Sequence, residues 1–544
     1  MPTLNWIGKE QVVNHDKEVP FRLLKKVKSL SVGENSQNLI IHGDNLEALK
    51  ALMPHYYGKV KCIYIDPPYN TGNEGWVYND KVNSPKIKKW LGKVVGGEAE
   101  DLCRHDKWLC MMYPRLKLLR ELLSDEGTIF ISINEDELFN LSYLCNEIFG
   151  EDNYLTTFTV KVRHEDRILK GDKDFHEVVE YLIMFRKSKK FKTVKRIFDN
   201  TSVEDYVYLI EELNKNLEET IMGNKKVWML KPHEFKVIKK IPSEKNLKKI
   251  NIRGSIKEGN SSGRFYMNYL SKLKDKNGYL FKVENMGDDG SGSRYFLMPA
   301  SEKKLNGDYF QGVPQNREAT KEVPFANYLD FTGDFNNVGY EGDIDFRFGK
   351  KPINFIKKIF EMGGVKNDKK AIILDSFSGS GSTGHTVLDL NKEDKGNRKF
   401  ILVEMEEYAT NITAERIKKA IKKENYEDGF EFCELDKPLF NEEGKIDEEC
   451  TFEQLAQYVY FTETQTNLDK KQIKNSLIGS LNETDYYLIF KEKGSNVLNK
   501  FFLKSIKKDD NKRVIYADKC LLDEESLEKH KIQFKQIPYE VRIY

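Results

Sequence analysis

The stretch Ile63-Tyr64-Ile65-Asp66-Pro67-Pro68-Tyr69-Asn70 runs an apolar strand into a carboxylate, two prolines and an aromatic ring. Lys59 to Ile65 carries enough apolar and β-branched residues to form a buried strand, and two prolines without N–H donors must end its hydrogen-bond ladder. Asp66 is therefore expected at a strand's carboxyl end, where the ligand crevice of an open α/β sheet lies. A carboxylate, rigid carbonyls and a ring then arrive together at an edge suited to chemistry. An ordinary Pro-Pro turn with a capping Asp uses the same residues, so this stretch alone leaves both open.

A second stretch, far along the chain, favours chemistry. Ala371 to Asp375 is a short apolar strand, Ser376 to Gly384 a loop of Gly and Ser with Phe377 and Thr383, and His385 to Leu390 a helical run. Glycines there remove Cβ obstruction, and the N–H groups that open the helix favour negative charge. Gly379, Gly384 and Thr386 fall where a phosphate-binding P-loop wants Gly, Gly and Ser/Thr, but residue 385 is His where that pattern needs Lys. Without the cation that reaches terminal phosphates, a nucleoside cofactor fits better than a hydrolysable nucleotide. Lys399 to Val403 is the next strand and ends in Glu404, twenty positions past Gly384. An acid at about that spacing meets ribose hydroxyls in dinucleotide folds.

Asp66-Pro67-Pro68-Tyr69 and Phe377-Ser378-Gly379-Ser380-Gly381 together resemble the two signature motifs of the amino-methyltransferases that modify DNA bases with S-adenosylmethionine. Because the catalytic motif comes first and a long insert separates the two, the order resembles the permuted β group. Leu4 to Lys9, Ile41 to Asn45, Asn70-Thr71-Gly72 and Trp108 to Ile133 further resemble the modification (Mod) subunit of type III restriction-modification systems. The likeness covers most of Met1 to Ser188 and Asp343 to Ala420.

That resemblance implies an α/β, Rossmann-like, S-adenosylmethionine-dependent methyltransferase fold in the permuted arrangement, with an inserted target-recognition domain and a small α+β C-terminal domain. It implies Asp66, Pro67, Pro68 and Tyr69 as the catalytic set. Asp44, Lys351, Pro352, Asp375, Phe377, Gly379, Gly381 and Glu404 are implied around the cofactor, Asp44 at its adenine amine and Lys351-Pro352 beside its methionine part. A helix-capping Asp accounts for Asp44 equally well. The implied activity is sequence-specific methyl transfer to N6 of an adenine swung out of double-stranded DNA. Asp66 and the Pro67 carbonyl would accept the two amine N–H groups while Tyr69 stacks on the base, and unstacking the base costs a few kcal/mol. The implied partners are double-stranded DNA, a second copy in a homodimer and an ATP-dependent restriction (Res) subunit. The alternatives are a solitary adenine methyltransferase, a cytosine-N4 or RNA methyltransferase, and a non-catalytic specificity subunit.

These motifs need elements to position them, and 544 residues suggest two to four domains. We expect an N-terminal arm over 1–36 and a catalytic half over 37–188. Within it, Asn38 to Asp44 reads as a strand, Leu46 to Met53 as a helix, Trp108 to Leu123 as a helix and Gly127 to Ile133 as a strand. Leu138 to Phe149 and Glu177 to Arg186 extend the alternation, which predicts a run of parallel strands. The stretch from Asn70 to Glu100 is expected to be a long loop that clamps base or backbone, with Trp76 and Tyr78 as stacking groups or as aromatics that pin the loop. A target-recognition insert is expected over 189–336. Its segment Ile221 to Leu280 holds fifteen Lys and Arg against four Asp and Glu, a surplus that phosphate contacts need. Arg253, Arg264, Arg294 and Arg317 are the side chains suited to reading guanine bidentately. The cofactor-binding half is expected over 337–425, with helices at Ile353 to Phe360 and Tyr408 to Lys423. The acidic run Asp428 to Glu453 marks a boundary, and 426–544 reads as an α+β domain for contacts with another subunit.

Charge is abundant but balanced, at a formal net of +2, so any affinity for nucleic acid must come from a local basic face. The seven cysteines include no C-x-x-C pair and read as reduced packing residues, with no metal expected. No apolar run approaches the ~18 residues a membrane span needs, and a cytoplasmic protein is expected.

Overall fold

The structure is a computed structural model that describes residues 3–34, 36–71, 103–166, 175–199, 202–287, 289–301, 306–315, 320–346, 349–440, 446–447, 450–490, 496–507 and 509–537. The chain divides into two compact units, Met1–Val194 with Ala326–Tyr544, and Lys195–Phe325.

The first unit is built on a ten-stranded sheet. In chain order its elements are β1 (Arg22–Lys26), β2 (Leu39–His42), helix α1 (Asn45–Tyr56), β3 (Val60–Ile65), α2 (Arg104–Leu122), β4 (Leu123–Ile133), α3 (Leu138–Phe149), β5 (Tyr154–Lys161) and β6 (Val179–Arg186). After the second unit come β7 (Tyr328–Asp330), α4 (Ile353–Met362), β8 (Ile372–Asp375), α5 (Ser382–Asp394), β9 (Lys399–Glu404), α6 (Glu415–Glu424) and β10 (Glu431–Pro438). The spatial order is β1-β10-β2-β9-β8-β3-β4-β6-β5-β7. From β10 to β4 every pairing is parallel. Strands buried on both faces read as continuous apolar runs, and Ile63, Ile65, Ile373, Leu374, Ile401 and Val403 are all fully buried.

The chain winds outward from β3 through α2 to β4, and from β8 through α5 to β9 on the other side. The winding direction thus reverses between β8 and β3, which are hydrogen-bonded neighbours (Ile373 opposite Cys62, Leu374 opposite Ile63). Such a switch point opens a crevice at the strands' carboxyl ends. Around it, α2 buries Leu109, Met112, Leu116 and Leu119 along one stripe.

Two expectations fail. The parallel run stops at β4, because β6 lies antiparallel to both β4 and β5. The short 3-10 turn Glu151–Asn153 carries the chain from α3 into β5, and β5 and β6 pair antiparallel, Phe158 opposite Leu182. The boundary at 426 also fails: β10 lies inside the main sheet, between β1 and β2. The apolar positions Phe430, Phe432 and Cys433 within the acidic stretch are buried there. Beyond it, Leu23 of β1 shares one core with Leu455, Val459 and Tyr516, so the C-terminal region packs into the first unit. Its own four-stranded sheet is Leu477–Leu481, Thr484–Leu488, Lys512–Ala517 and Ile532–Gln536.

The second unit carries an antiparallel six-stranded sheet ordered Lys248–Asn251, Asp308–Gln311, Ser293–Leu297, Leu280–Glu284, Lys225–Leu230, Glu218–Met222. Helices Ile252–Glu258 and Ser261–Asn268 share its core of Val227, Phe265, Phe281, Phe296 and Tyr309. The residues just outside this unit, expected within the insert, belong to the first: β7 pairs with β5, Tyr328 opposite Thr159.

Candidate active site

Asp66-Pro67-Pro68 leaves β3 at the switch point, and all three residues are buried. The Trp108 indole N–H donates to the Pro68 carbonyl at 2.7 Å, which fixes the turn to α2. Asn70 takes a left-handed conformation (φ 57°), and its amide donates to the Arg104 carbonyl at 3.2 Å and to the Glu137 carboxylate. The Arg104 guanidinium returns a hydrogen bond to the Asn70 carbonyl. The turn after the two prolines is thus locked from both ends.

The side chains at this edge form a charged cluster around Lys351. Its ammonium lies 3.1 Å from Asp66 Oδ1 and 2.9 Å from Glu180 Oε2, and it donates to the Tyr69 hydroxyl at 2.7 Å. The Tyr69 hydroxyl donates in turn to Glu180 Oε2 at 2.9 Å. Burial pushes the Asp66 carboxyl above its ordinary range, although Lys351 pulls it down. Burial would also raise Glu180, but Lys351 and Tyr69 outweigh it and hold this carboxyl below its ordinary range. Lys351 is raised, since its two carboxylates more than offset the burial that opposes its charge. Of the two acids, Glu180 keeps the charge more firmly.

Across the switch point, Asp375 ends β8. It accepts from Phe377 N at 3.1 Å and from the Thr383 hydroxyl at 2.5 Å, and burial pushes it up to about 7. The loop folds back on β9 through Ser378 N to the Val403 carbonyl at 3.1 Å, and the Asn45 amide holds the Ser376 carbonyl at 3.1 Å. Gly381 (φ 79°) opens α5, and a Cβ on it would meet the Thr413 Cγ2 at 3.2 Å. Thr413 donates to the Gly379 carbonyl at 2.6 Å, so loop and π-helical turn Ala409–Ala414 are in close contact. Glu404 accepts from the N–H groups of Gly379, Met405 and Glu406 at 2.9, 2.9 and 3.2 Å, and burial pushes it up to about 7. From α6, fully buried Arg416 donates to the hydroxyls of Ser380 (3.0 Å) and Ser382 (2.7 Å) and so ties the loop to that helix.

Asp44 caps α1, accepting from Leu46 N at 2.9 Å and Glu47 N at 3.2 Å, while its other oxygen takes the Arg115 guanidinium at 3.1 Å. Capping, one of the two uses weighed for this residue, is what the geometry displays. Pro352 is the N-cap of α4 rather than a first-turn residue. Phe377 packs against the main core. Arg253 and Arg264 are exposed on the second unit's two helices. Arg294 is 4% exposed, inside that unit, held by the Ser262 hydroxyl at 2.6 Å and Asp289 at 3.5 Å. In this structure the guanidinium faces inward, and its charge answers the buried Asp289 carboxylate. Trp76, Tyr78, Arg317, Arg347 and Phe348 lie outside the described residues.

Sequence reasoning missed Glu180, Trp108's bond to Pro68, and Arg416. A lone acid near the start of the apolar run Val179–Arg186 was the available signal for the first. Among the described residues, no group of three or more His, Cys, Asp or Glu is placed to hold a metal, and no helix is long and apolar enough to cross a membrane.

A mixed sheet whose parallel centre carries an acid-Pro-Pro-Tyr edge beside a Gly/Ser loop at its switch point is suited to a nucleoside cofactor. A family model described as DNA methylase (N6_N4_Mtase) matches residues 60–415, and the chain belongs to that family. It is 30% identical over 449 residues to the type III restriction-modification enzyme EcoPI Mod subunit of Escherichia phage P1, covering 74% of this chain and 64% of that protein. It is 31% identical over 410 residues to the StyLTI Mod subunit of Salmonella typhimurium, covering 71% of this chain and 55% of that one. The type II methyltransferase M.KpnI of Klebsiella pneumoniae is 26% identical over 385 residues, covering 70% of this chain and 84% of that one. The chain thus spans less than two thirds of the EcoPI and StyLTI Mod subunits.

The Arg294 geometry has a direct test. Arg294→Ala leaves Asp289, whose side chain is 2% exposed, without its cation. We expect a loss of about 3–5 kcal/mol in the second unit's denaturant unfolding. Arg253→Ala and Arg264→Ala should stay within about 0.5 kcal/mol of the unaltered protein.

Proposed function

We propose that this protein transfers a methyl group from S-adenosylmethionine to N6 of an adenine swung out of double-stranded DNA, as the modification subunit of a type III restriction-modification system. One observation carries the chemistry: the buried Asp66-Pro67 edge and the Gly379–Gly381 loop meet across one switch point, in a chain of the DNA methylase family.

An exocyclic adenine amine is a poor nucleophile because its lone pair is delocalised into the ring. An ionised Asp66 carboxylate and the Pro67 carbonyl, accepting one N–H each, draw that lone pair back toward nitrogen. Tyr69 offers a ring face whose hydroxyl is already fixed by Glu180. Bound S-adenosylmethionine supplies an electrophilic methyl group, so position and polarity are what the protein must add. For the cofactor, Asp375, Phe377, Gly379, Gly381 and Glu404 form the cradle, and the residues fit: the Ser376 and Ser378 hydroxyls of this loop are buried without a hydrogen-bond partner. Glu404 already accepts three backbone N–H groups, so ribose hydroxyls would share its remaining acceptor capacity.

The second unit is the proposed DNA-reading part. Lys226, Lys231, Lys236, Lys239, Lys240 and Lys245 are exposed on it, as are Arg253 and Arg264. The further partners are a second copy and a restriction subunit, in the cytoplasm. A type II methyltransferase is the second reading, favoured by the larger share of M.KpnI that the chain covers.

Asp66→Ala should abolish methyl transfer while leaving cofactor affinity within roughly tenfold, about 1.4 kcal/mol. Digestion of reacted DNA to nucleosides should yield N6-methyldeoxyadenosine from the unaltered protein. Methylated cytidine, or near-normal turnover by the variant, would sink the assignment.

Asp375 and Glu404 stand at about 7 in the free protein, and hydroxyl donors favour their ionised forms. Cofactor binding should therefore lower both and release protons near neutrality, and affinity should fall as pH drops below about 7. Calorimetry in buffers of different ionisation enthalpy reads the released protons. An enthalpy independent of buffer would show that neither acid is engaged.

Replacing Lys226, Lys236, Lys239 and Lys240 with Ala should weaken binding to every DNA sequence and shallow the salt dependence by about 0.9 for each phosphate no longer neutralised. Equal slopes would make this face an ordinary solvated surface.

A further inference from the structure

We infer that Glu180 is a positioning residue for methyl transfer: it holds the Lys351 ammonium and the Tyr69 hydroxyl so that Asp66 can exchange its ammonium contact for the incoming amine. This rests on Asp66 as the amine acceptor, the role proposed for it in methyl transfer.

Glu180 is the second residue of β6, in a strand where Leu182, Ile183, Met184 and Phe185 are all buried. A carboxylate set in such surroundings is costly unless paired and hydrogen-bonded. It is both, and with the same oxygen: Oε2 accepts from Tyr69 at 2.9 Å and from Lys351 at 2.9 Å. Lys351 has three N–H donors, and Asp66, Glu180 and the Tyr69 hydroxyl all lie within reach of its ammonium. Each donor thus has a place within this cluster.

The conflict lies at Asp66. An ammonium 3.1 Å from its Oδ1 takes up one of the two oxygens of the carboxylate that must accept an amine N–H, and draws its charge away from the substrate. Were Asp66 the only acid present, a lysine that is 8% exposed would have no other counterion and would stay on it. Glu180 supplies the second counterion, and Asp66 can turn to substrate without leaving a buried cation uncompensated. The Lys351 ammonium also lies 5.0 Å from the Tyr69 ring centroid, so the same contact steadies the ring proposed to stack on the base.

Glu180→Gln keeps the size and an oxygen to accept from Tyr69, but removes the charge. Lys351 then depends on Asp66 alone. We expect the single-turnover methylation rate to fall about tenfold or more. Cofactor and DNA dissociation constants should stay within about twofold, and the protein should remain fully folded at the assay temperature. In a Lys351→Met background the same change should add little, because the ammonium that Glu180 diverts is gone. A wild-type rate in Glu180→Gln, or losses that multiply in the double variant, would overturn the proposal. So would a Glu180→Gln protein whose rate loss is matched by weaker cofactor affinity or by loss of folded protein at the assay temperature. Asp66→Ala is run alongside. If it too remains active, the reading of Asp66 fails; if it is dead while Glu180→Gln is fully active, only the role of Glu180 fails.

Discussion

The parallel pairing of β3 with β8 is the constraint on which the rest depends. These strands come from opposite ends of the methylase segment, with the whole second unit between them in sequence, yet Cys62 and Ile63 lie opposite Ile373 and Leu374. Their pairing sets the reversal in winding, and the reversal makes the crevice. Had β8 paired elsewhere in the sheet, Asp66 and Asp375 would each still end a buried strand, but at different edges. The cost is kinetic as well as entropic, since long-range parallel pairing must close a large loop before it is rewarded.

A crevice built this way is lined by carboxylates that burial penalises. Asp66, Asp375 and Glu404 are all held above their ordinary range by desolvation, and only Glu180 falls below, because it has the firmer grip on Lys351. Three acids that resist ionisation at one edge are a poor solution for stability and a good one for ligand binding: a donor-bearing ligand gains by making them charged. The neutral hydrogen bonds around them, from Phe377, Thr383, Gly379, Met405 and Glu406, keep that cost within what the fold withstands.

Much of this was legible in the sequence, for a physical reason. A strand buried on both faces, followed by two prolines or by Gly and Ser, announces its own end, so Asp66 and Asp375 could be placed at carboxyl edges without the structure, and Glu404 by its spacing from the loop. Relations between distant elements were not legible. Nothing in the composition of Val179–Arg186 says that it runs antiparallel to β4 and so brings Glu180 to the same edge. Lys351 resembles a cofactor contact by its neighbours in sequence, whereas its neighbours in space are the Asp66 and Glu180 carboxylates. Arg294 has the right chemistry for guanine but lies inside its unit, where Gly287 (φ 96°) leaves room for its guanidinium. The acidic run after Asp428 concealed a strand, because the burial of Phe430 and Phe432 outweighs the charges between them.

The chain leaves the first unit after Val194 and returns at Ala326, and both stubs are anchored there: β6 pairs with β4 and β5, and β7 pairs with β5. Glu180 lies just before the departure and Lys351 shortly after the return, so their ion pair closes the loop of chain that contains the whole second unit. For a flexible loop, doubling its length adds only about 0.6 kcal/mol to the closing cost. A folded insert with nearby ends would add less. The cluster of Asp66, Glu180 and Lys351 can therefore tolerate large changes in the sequence and size of the insert, provided that β6 and β7 keep their pairing.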